Sequence, residues 1–179
     1  MSKLNGIVQV CQVTRDLDRS IADWIGLYGA GPFFVAEFCL EGHHYRGQPV
    51  TAASRVGLAF CGPVLIELAQ PKGSGPSIFH EVLDARGEGL HHVWRAGGEF
   101  DTEVARYASM GCPVVAGGPI PGMGRQAFVD TTERTGVFTE LLELADWVYG
   151  ALDIMRTAHQ GWDGREPVRP YPVISAPMP

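Results

Sequence analysis

Apolar and polar residues alternate along residues 6–14, GIVQVCQVT, and the run is rich in β-branched side chains. That pattern predicts a strand. Residues 18–28 change period. Ile21, Trp24, Ile25 and Tyr28 fall on one helical face, Asp16 or Asp18 is placed to cap its start, and Gly29, Gly31 and Pro32 end it. Strand-like segments follow at about 33–40, 51–60 and 64–70, with a hairpin tip around Glu41–Gln48. The order β-α-β-β-β then recurs: a strand at 89–95, a helix at 100–110 stopped by Gly111 and Pro113, and strands near 113–117, 125–130 and 136–143. A short helix near Ser77–Ala85 lies between the two blocks. An amphipathic helix marked by Leu144, Val148, Leu152 and Met155 follows them. The proline-rich end favours extended chain, mobile or lying on a neighbour.

The two blocks are related in sequence. Moving the chain by 83 positions lays Gln9-Val10 on His92-Val93, Asp18 on Asp101, Ile21-Ala22 on Val104-Ala105 and Trp24 on Tyr107. A shift of 73 lays Val64–Leu68 on Val137–Leu141. The difference implies a longer middle in the first block, which the 41–48 hairpin supplies. An internal repeat of this kind is a statement about fold. It divides the chain into a first βαβββ module (1–71), a linker with a short helix (72–88), a second βαβββ module (89–144) and a C-terminal helix with tail (145–179), all within one compact domain. The expected class is α+β, with the modules forming a curved open mixed sheet.

Composition narrows the function classes. With 45% hydrophobic and 19% charged residues the chain of 179 residues can fill a core. Net charge is −6 and the pI about 5.4, against the basic footprint of a duplex nucleic-acid binder. No apolar run reaches the roughly 18 residues of a membrane helix. Cys11, Cys39, Cys61 and Cys112 form no CxxC pair, so they read as buried free thiols suited to a reducing compartment. With an N-terminus that lacks a signal-peptide core, this places the chain in the cytoplasm.

The chemistry enters through the repeat. Gln9, Glu67, His92 and Glu140 each interrupt an apolar strand, and they occupy repeat-related positions, two per module. Singly, each is an ordinary half-buried strand residue that faces water or finds a partner. Together, on sheets that face one another, they could supply one nitrogen and three oxygens to a divalent ion such as Zn²⁺, Ni²⁺, Co²⁺, Mn²⁺ or Fe²⁺. His91 is expected on the opposite strand face, since side chains alternate. His43-His44-Tyr45-Arg46 reads as a solvated turn that could close over substrate. Gly117–Gly124 reads as a long glycine-rich loop that lacks the lysine of a phosphate cradle but could act as a lid.

Val8-Gln9-Val10 with Arg15–Ile21, Leu65–Pro71, Gly87-Glu88-Gly89-Leu90-His91-His92-Val93 and Gly136–Leu144 together resemble the vicinal oxygen chelate superfamily. That superfamily includes glyoxalase I, methylmalonyl-CoA epimerase, extradiol dioxygenases and bleomycin-resistance proteins. The GEGLHHV run looks most like the epimerases. The resemblance implies paired βαβββ modules around one divalent metal held by Gln9, Glu67, His92 and Glu140. The order Gln, Glu, His, Glu looks like that of eukaryotic glyoxalase I. Epimerases carry His where Gln9 stands, and extradiol dioxygenases need two His and one carboxylate. The implied activity is proton transfer beside a carbonyl that the metal polarises, as in an isomerase, epimerase or lyase, with Glu140 as first choice of base and Glu67 as second. The epimerases' second acidic group has no counterpart in Gly47–Ser54. Phe33, Tyr45, Phe60 and Trp94 are the candidate substrate contacts. The substrate is expected to be a small carbonyl compound. Lys3 and Lys72 are the only lysines, so no basic cluster marks a CoA or glutathione site, and an apolar carbonyl compound fits as well. The family expectation is a homodimer with helix 144–159 and the tail as contacts. The competing reading is a metal-free small-molecule binding protein of the bleomycin-resistance type.

Overall fold

The computed structural model describes residues 4–172. Nine strands and five helices follow in the order β1 (Gly6–Val13), α1 (Leu17–Tyr28), β2 (Phe33–Tyr45), β3 (Gln48–Cys61), β4 (Val64–Pro71), α2 (Ile78–Arg86), β5 (Gly89–Ala96), α3 (Phe100–Ser109), β6 (Val114–Ile120), β7 (Gly124–Val129), α4 (Thr132–Thr135), β8 (Phe138–Leu144), α5 (Asp146–Gln160) and β9 (Val168–Pro170). The βαβββ order therefore occurs twice. The local causes are those the sequence carries. Asp16 accepts the amide of Arg19 and starts α1; Gly29, at φ 66°, ends it.

The sheet differs from the expected open one. Its strand order is β3-β4-β1-β5-β8-β7-β6-β2, and β2 pairs back onto β3, so eight strands close into a barrel. The ten extra residues of the first module are the reason. β2 and β3 run to a two-residue turn at Arg46-Gly47, both with positive φ, the geometry of a tight hairpin that matches strand twist. The tip reaches β6, where His44 pairs with Gly117 and Tyr45 with Ala116. Tyr45 Oη donates to Glu81 at 2.6 Å, and Arg46 grips the same carboxylate through two nitrogens. His43, read as solvated, is buried in this seam, its Nε2 2.9 Å from the Pro119 carbonyl. The stretch 117–120, read as loop, is the end of β6. Gly118 permits the contact, because a Cβ there would stand 2.9 Å from the Gly42 carbonyl oxygen. Further along β2 the tail fills the other part of the same edge: Phe33–Val35 pair in parallel with β9. That part of the tail is extended, but it lies on its own chain. Pro177 and Pro179 lie outside the described residues.

Helices cover the barrel in two ways. Leu17 and Ile21 of α1 pack on the outward residues Ile66, Leu68 and Phe33, and α3 packs on Val129 and Leu141. Each large apolar side chain buried in this way stabilises the fold by about 1.5–3 kcal/mol. Two more helices plug the ends. Ile78, Val82 and Leu83 of α2 meet Val13, Phe128 and Phe138, while Leu152 and Met155 of α5 meet Phe34, Phe60, Leu65 and Trp94. The inward residues between these plugs line a cavity. No helix among the described residues is long and apolar enough to cross a membrane.

Candidate metal centre

Four adjacent strands, β4-β1-β5-β8, cross the middle of the barrel, and each carries one of the four repeat-related polar residues on its inner face. Glu67 comes from β4, Gln9 from β1, His92 from β5 and Glu140 from β8. The structure brings these four together. His92 Nε2 lies 3.4 Å from Glu140 Oε2, 3.8 Å from Glu67 Oε2 and 3.5 Å from Gln9 Nε2, and that Gln9 nitrogen donates to Glu67 Oε2. All four are buried or nearly so.

Burial sets the electrostatics. Burial in apolar surroundings pushes the Glu67 pKa up to about 7, with the His92 charge opposing and the Glu140 carboxylate adding to the rise. Burial pulls His92 down, but the carboxylates of Glu140 and Glu67 outweigh it and leave its pKa raised. Glu140 Oε2 is buried with no hydrogen-bond partner among the described residues. A buried carboxylate oxygen that accepts no hydrogen bond is costly, with the His92 imidazole 3.4 Å away as a partial charge partner. A divalent cation would fit this arrangement, since one ion would neutralise both carboxylates and be coordinated by the free oxygen. The donor set suits such an ion: two carboxylates, an imidazole nitrogen and the Gln9 amide, which presents its oxygen when turned by 180°.

Two residues join the site in ways the sequence reading did not foresee. Cys11, read only as a buried thiol, lies on the Gln9 face of β1. Its sulfur and the ligand atoms of Glu67 and His92 lie within 4.8 Å of one another. Burial, then the Glu67 and Glu140 charges, push its thiol pKa well up. The strand period of two was the signal that could have found it. His91 was expected to face away from His92. Instead both point inward, because the β1–β5 register slips between Cys11 and Gln12 and leaves His91 in a β-bulge.

That bulge has a chemical consequence. His91 Nε2 lies 3.1 Å from the Ile78 carbonyl, which can only accept, so this nitrogen carries the proton. Burial holds His91 well below its ordinary pKa, hence neutral, and its Nδ1 is an acceptor. His92 Nδ1, 2.9 Å away, donates to it. In neutral His92 this leaves Nε2 with its lone pair toward the carboxylates. The relay Ile78–His91–His92 fixes the tautomer that a metal ligand needs.

The cavity around the cluster holds about 940 Å³ of empty space, part of it open to solvent. Of the four aromatic candidates for substrate contact, Trp94 lines it. The other three lie elsewhere. Phe33 faces outward into the α1 core, Phe60 packs on the α5 plug, and Tyr45 sits at the hairpin tip bonded to Glu81. Phe38, Phe79 and Phe128, which the sequence reading passed over, contribute aromatic wall instead. All four cysteines are free thiols, but only Cys11 and Cys112 are buried; Cys39 is exposed.

A barrel of two βαβββ modules with carboxylates and an imidazole gathered on its inner face defines a class of small chelate-type proteins. The chain belongs to the Glyoxalase/Bleomycin resistance protein/Dioxygenase superfamily, whose family profile matches residues 8–129. The match contains Gln9, Cys11, Glu67, His91 and His92; Glu140 lies beyond it. Among solved structures the fold is similar to methylmalonyl-CoA epimerase from Mycobacterium tuberculosis, at 22% identity and TM-score 0.60, over 84% of this chain and 95% of that one. A methylmalonyl-CoA epimerase in complex with methylmalonyl-CoA and NH4+ matches at 21% identity and TM-score 0.58, over 80% and 96%. A hypothetical protein from Bacillus halodurans C-125 matches at 17% identity and TM-score 0.59, over 82% and 97%. At these identities the likeness is one of fold. No curated protein matches the chain in sequence.

Proposed function

We propose that this chain is a metal-dependent enzyme of the isomerase, epimerase or lyase type, acting on a small carbonyl compound. The observation that carries the proposal is the buried convergence of Glu67, His92 and Glu140 around an oxygen with no partner. Gln9, Glu67, His92 and Glu140 are the proposed holders of one divalent ion, with Cys11 beside them. Such an ion supplies Lewis acidity toward a carbonyl oxygen. The chain's own part is the proton. Glu140, which lines the cavity, is the proposed base that takes it from the carbon beside the carbonyl, with Gln9, Glu67 and His92 left to hold the ion. Glu67 is the alternative base, with Glu140 then holding the ion; in the metal-free protein burial pushes its carboxyl up to about 7. The apolar walls exclude water from the proton while it is held. Trp94, together with the phenylalanines of the wall, is proposed to position the substrate. A homodimer in the cytoplasm remains the proposed setting, with the face of α5 that is not used inside the chain available for contact.

The test is the metal content of the purified protein, read by plasma mass spectrometry beside His92→Ala. The expected result is about one divalent ion per chain, lost in the variant. Absence of metal after reconstitution overturns the proposal and favours the second reading, a metal-free binding protein, for which the largely apolar cavity is the supporting observation.

A further inference from the structure

The chain has four tryptophans, and all lie among the described residues. Three have an indole N–H that is satisfied: Trp24 donates to Gln12, Trp147 to the Gly122 carbonyl and Trp162 to the Arg165 carbonyl. Trp94 is the exception. Its side chain is 2% exposed, and its Nε1 has no partner among the described residues. Trp94 sits in β5 two residues beyond His92, on the same inward face. It stands opposite Gln9 on one side and Glu140 on the other. A buried N–H left unmade costs about 1–3 kcal/mol. Trp94 lines the cavity beside the cluster and also a second one bordered by Arg95, Glu99 and Glu103; a ligand in the first that supplies an acceptor to Nε1 would recover the cost.

The cavity wall adds an independent constraint. No Lys or Arg lines it among the described residues; its only charged residues are Glu67 and Glu140. A divalent ion bound there would be balanced by these two. No further cationic side chain among the described residues lines the cavity to neutralise a carboxylate or phosphate brought in by a substrate, and burying an unpaired charge is expensive. Gln9, Ser54, Ser77, Gln126 and Tyr171 add uncharged polar groups, and the rest of the wall is hydrocarbon and aromatic, with Leu58, Phe79, Phe128 and Leu142 prominent.

From these two observations we infer the substrate class: an uncharged, largely apolar carbonyl compound with two acceptor oxygens, one facing the Glu67–His92–Glu140 cluster and the other held by the Trp94 indole N–H. This rests on the proposed function for the first oxygen, while the second contact stands on Trp94 alone. Acidic acyl groups and thioesters carrying them are disfavoured by the same wall.

The test uses the full-length, metal-loaded protein and three probes: phenylpropanedione as a neutral aryl α-diketone, benzoylformate as its anionic counterpart, and methylmalonyl-CoA. Titration is followed by calorimetry and by the four indole N–H resonances in NMR. Substituting Trp24, Trp147 and Trp162 in turn by Phe assigns the Trp94 resonance by elimination, without disturbing the cavity. The expected result is at least about tenfold tighter binding of the diketone than of benzoylformate, with a downfield shift of the Trp94 N–H. Trp94→Phe is expected to weaken diketone binding about fivefold. Tighter binding of benzoylformate or methylmalonyl-CoA, an unmoved Trp94 resonance, or binding of no probe overturns the inference. His92→Ala separates the two readings: diketone binding that persists there, with the Trp94 shift intact, supports the ligand inference while removing the metal enzyme.

Discussion

Replacing His91 by Phe isolates the relay that fixes His92. The phenyl ring keeps the aromatic packing against Phe79 and Phe138, whose centroids lie 4.6 and 5.3 Å from the His91 ring. It removes both hydrogen bonds. The Ile78 carbonyl loses its donor, and His92 Nδ1–H loses its acceptor. Two buried groups left unsatisfied cost about 1–3 kcal/mol each, so the melting transition should reflect a loss of about 2–6 kcal/mol. The effect on metal is separate. Without the Nδ1 acceptor, His92 is free to place its proton on Nε2 and donate to Glu140, which removes the lone pair from the site. Loss of such an outer partner lowers metal affinity about 10–100-fold. Chelator competition with Zn²⁺ measures that affinity. Nitrogen chemical shifts of the metal-free protein, at a pH above the His92 titration, report which ring nitrogen carries the proton. The parent should show His92 protonated at Nδ1 and the variant a shift toward Nε2. Zn²⁺ affinity within twofold of the parent, with the same tautomer, would refute the relay.

Two further substitutions address the frame around the site. Glu88 accepts from Thr14 Oγ1 at 2.9 Å and from the Arg15 amide at 2.6 Å, and pairs with Arg19; the Arg15 amide and the Arg19 guanidinium pull its pKa from 4.5 to about 2. The folded state thus binds this proton less tightly than the unfolded state, so the stabilisation is full above about pH 4.5 and disappears as pH falls toward 2. Discounted for its partial exposure, the contribution is about 1 kcal/mol, and Glu88→Gln should lower the melting temperature more at pH 7 than at pH 2.5; an equal loss at both would contradict the linkage. In the barrel seam, Gly118→Ala places a methyl 2.7 Å from the His43 ring and 2.9 Å from the His43 Cα. Overpacking of this kind costs about 1–3 kcal/mol, and hydrogen exchange should quicken at the Arg46 amide, which donates to the Val115 carbonyl at 2.6 Å; unchanged exchange there would argue against hairpin closure.

What was legible in the sequence follows a physical rule. Alternation records which face of a strand is buried, and capping residues record where a helix starts; both are local. The strands, α1 with its Asp16 cap and the two-module order were therefore readable, as was the ligand-capable quartet, because Gln9 with His92 and Glu67 with Glu140 keep phase across the repeat. What lies opposite a buried face is not local. Phe33 and Trp94 look alike in an apolar strand, yet one turns outward to α1 and the other into the cavity. Barrel closure depends on a long hairpin meeting a partner some seventy residues away, at a seam that glycines leave open. The β-bulge at His91 follows from the pairing of β1 with β5 and has only Gly89, at φ 153°, as a faint local mark. The short α4 has no side-chain cap to announce it.

The division of the site between modules has a consequence for how it is made. The first module brings Gln9, Cys11 and Glu67; the second brings His91, His92 and Glu140. Neither half alone offers a balanced set. Glu67 without His92 loses the charge that opposes its protonation, and its pKa, already raised by burial, would rise further. The β1–β5 pairing that joins the modules is also the pairing whose slip creates the bulge. The register of one strand pair therefore decides both whether the half-sites meet and whether His92 presents the right nitrogen. A shift by one residue would turn Gln9 and Cys11 outward and abolish the bulge together. The hairpin of the first module, seated on β6 of the second, holds that register from the far side of the barrel. The closed sheet would thus be part of the proposed chemistry, since it fixes the alignment on which every proposed ligand depends.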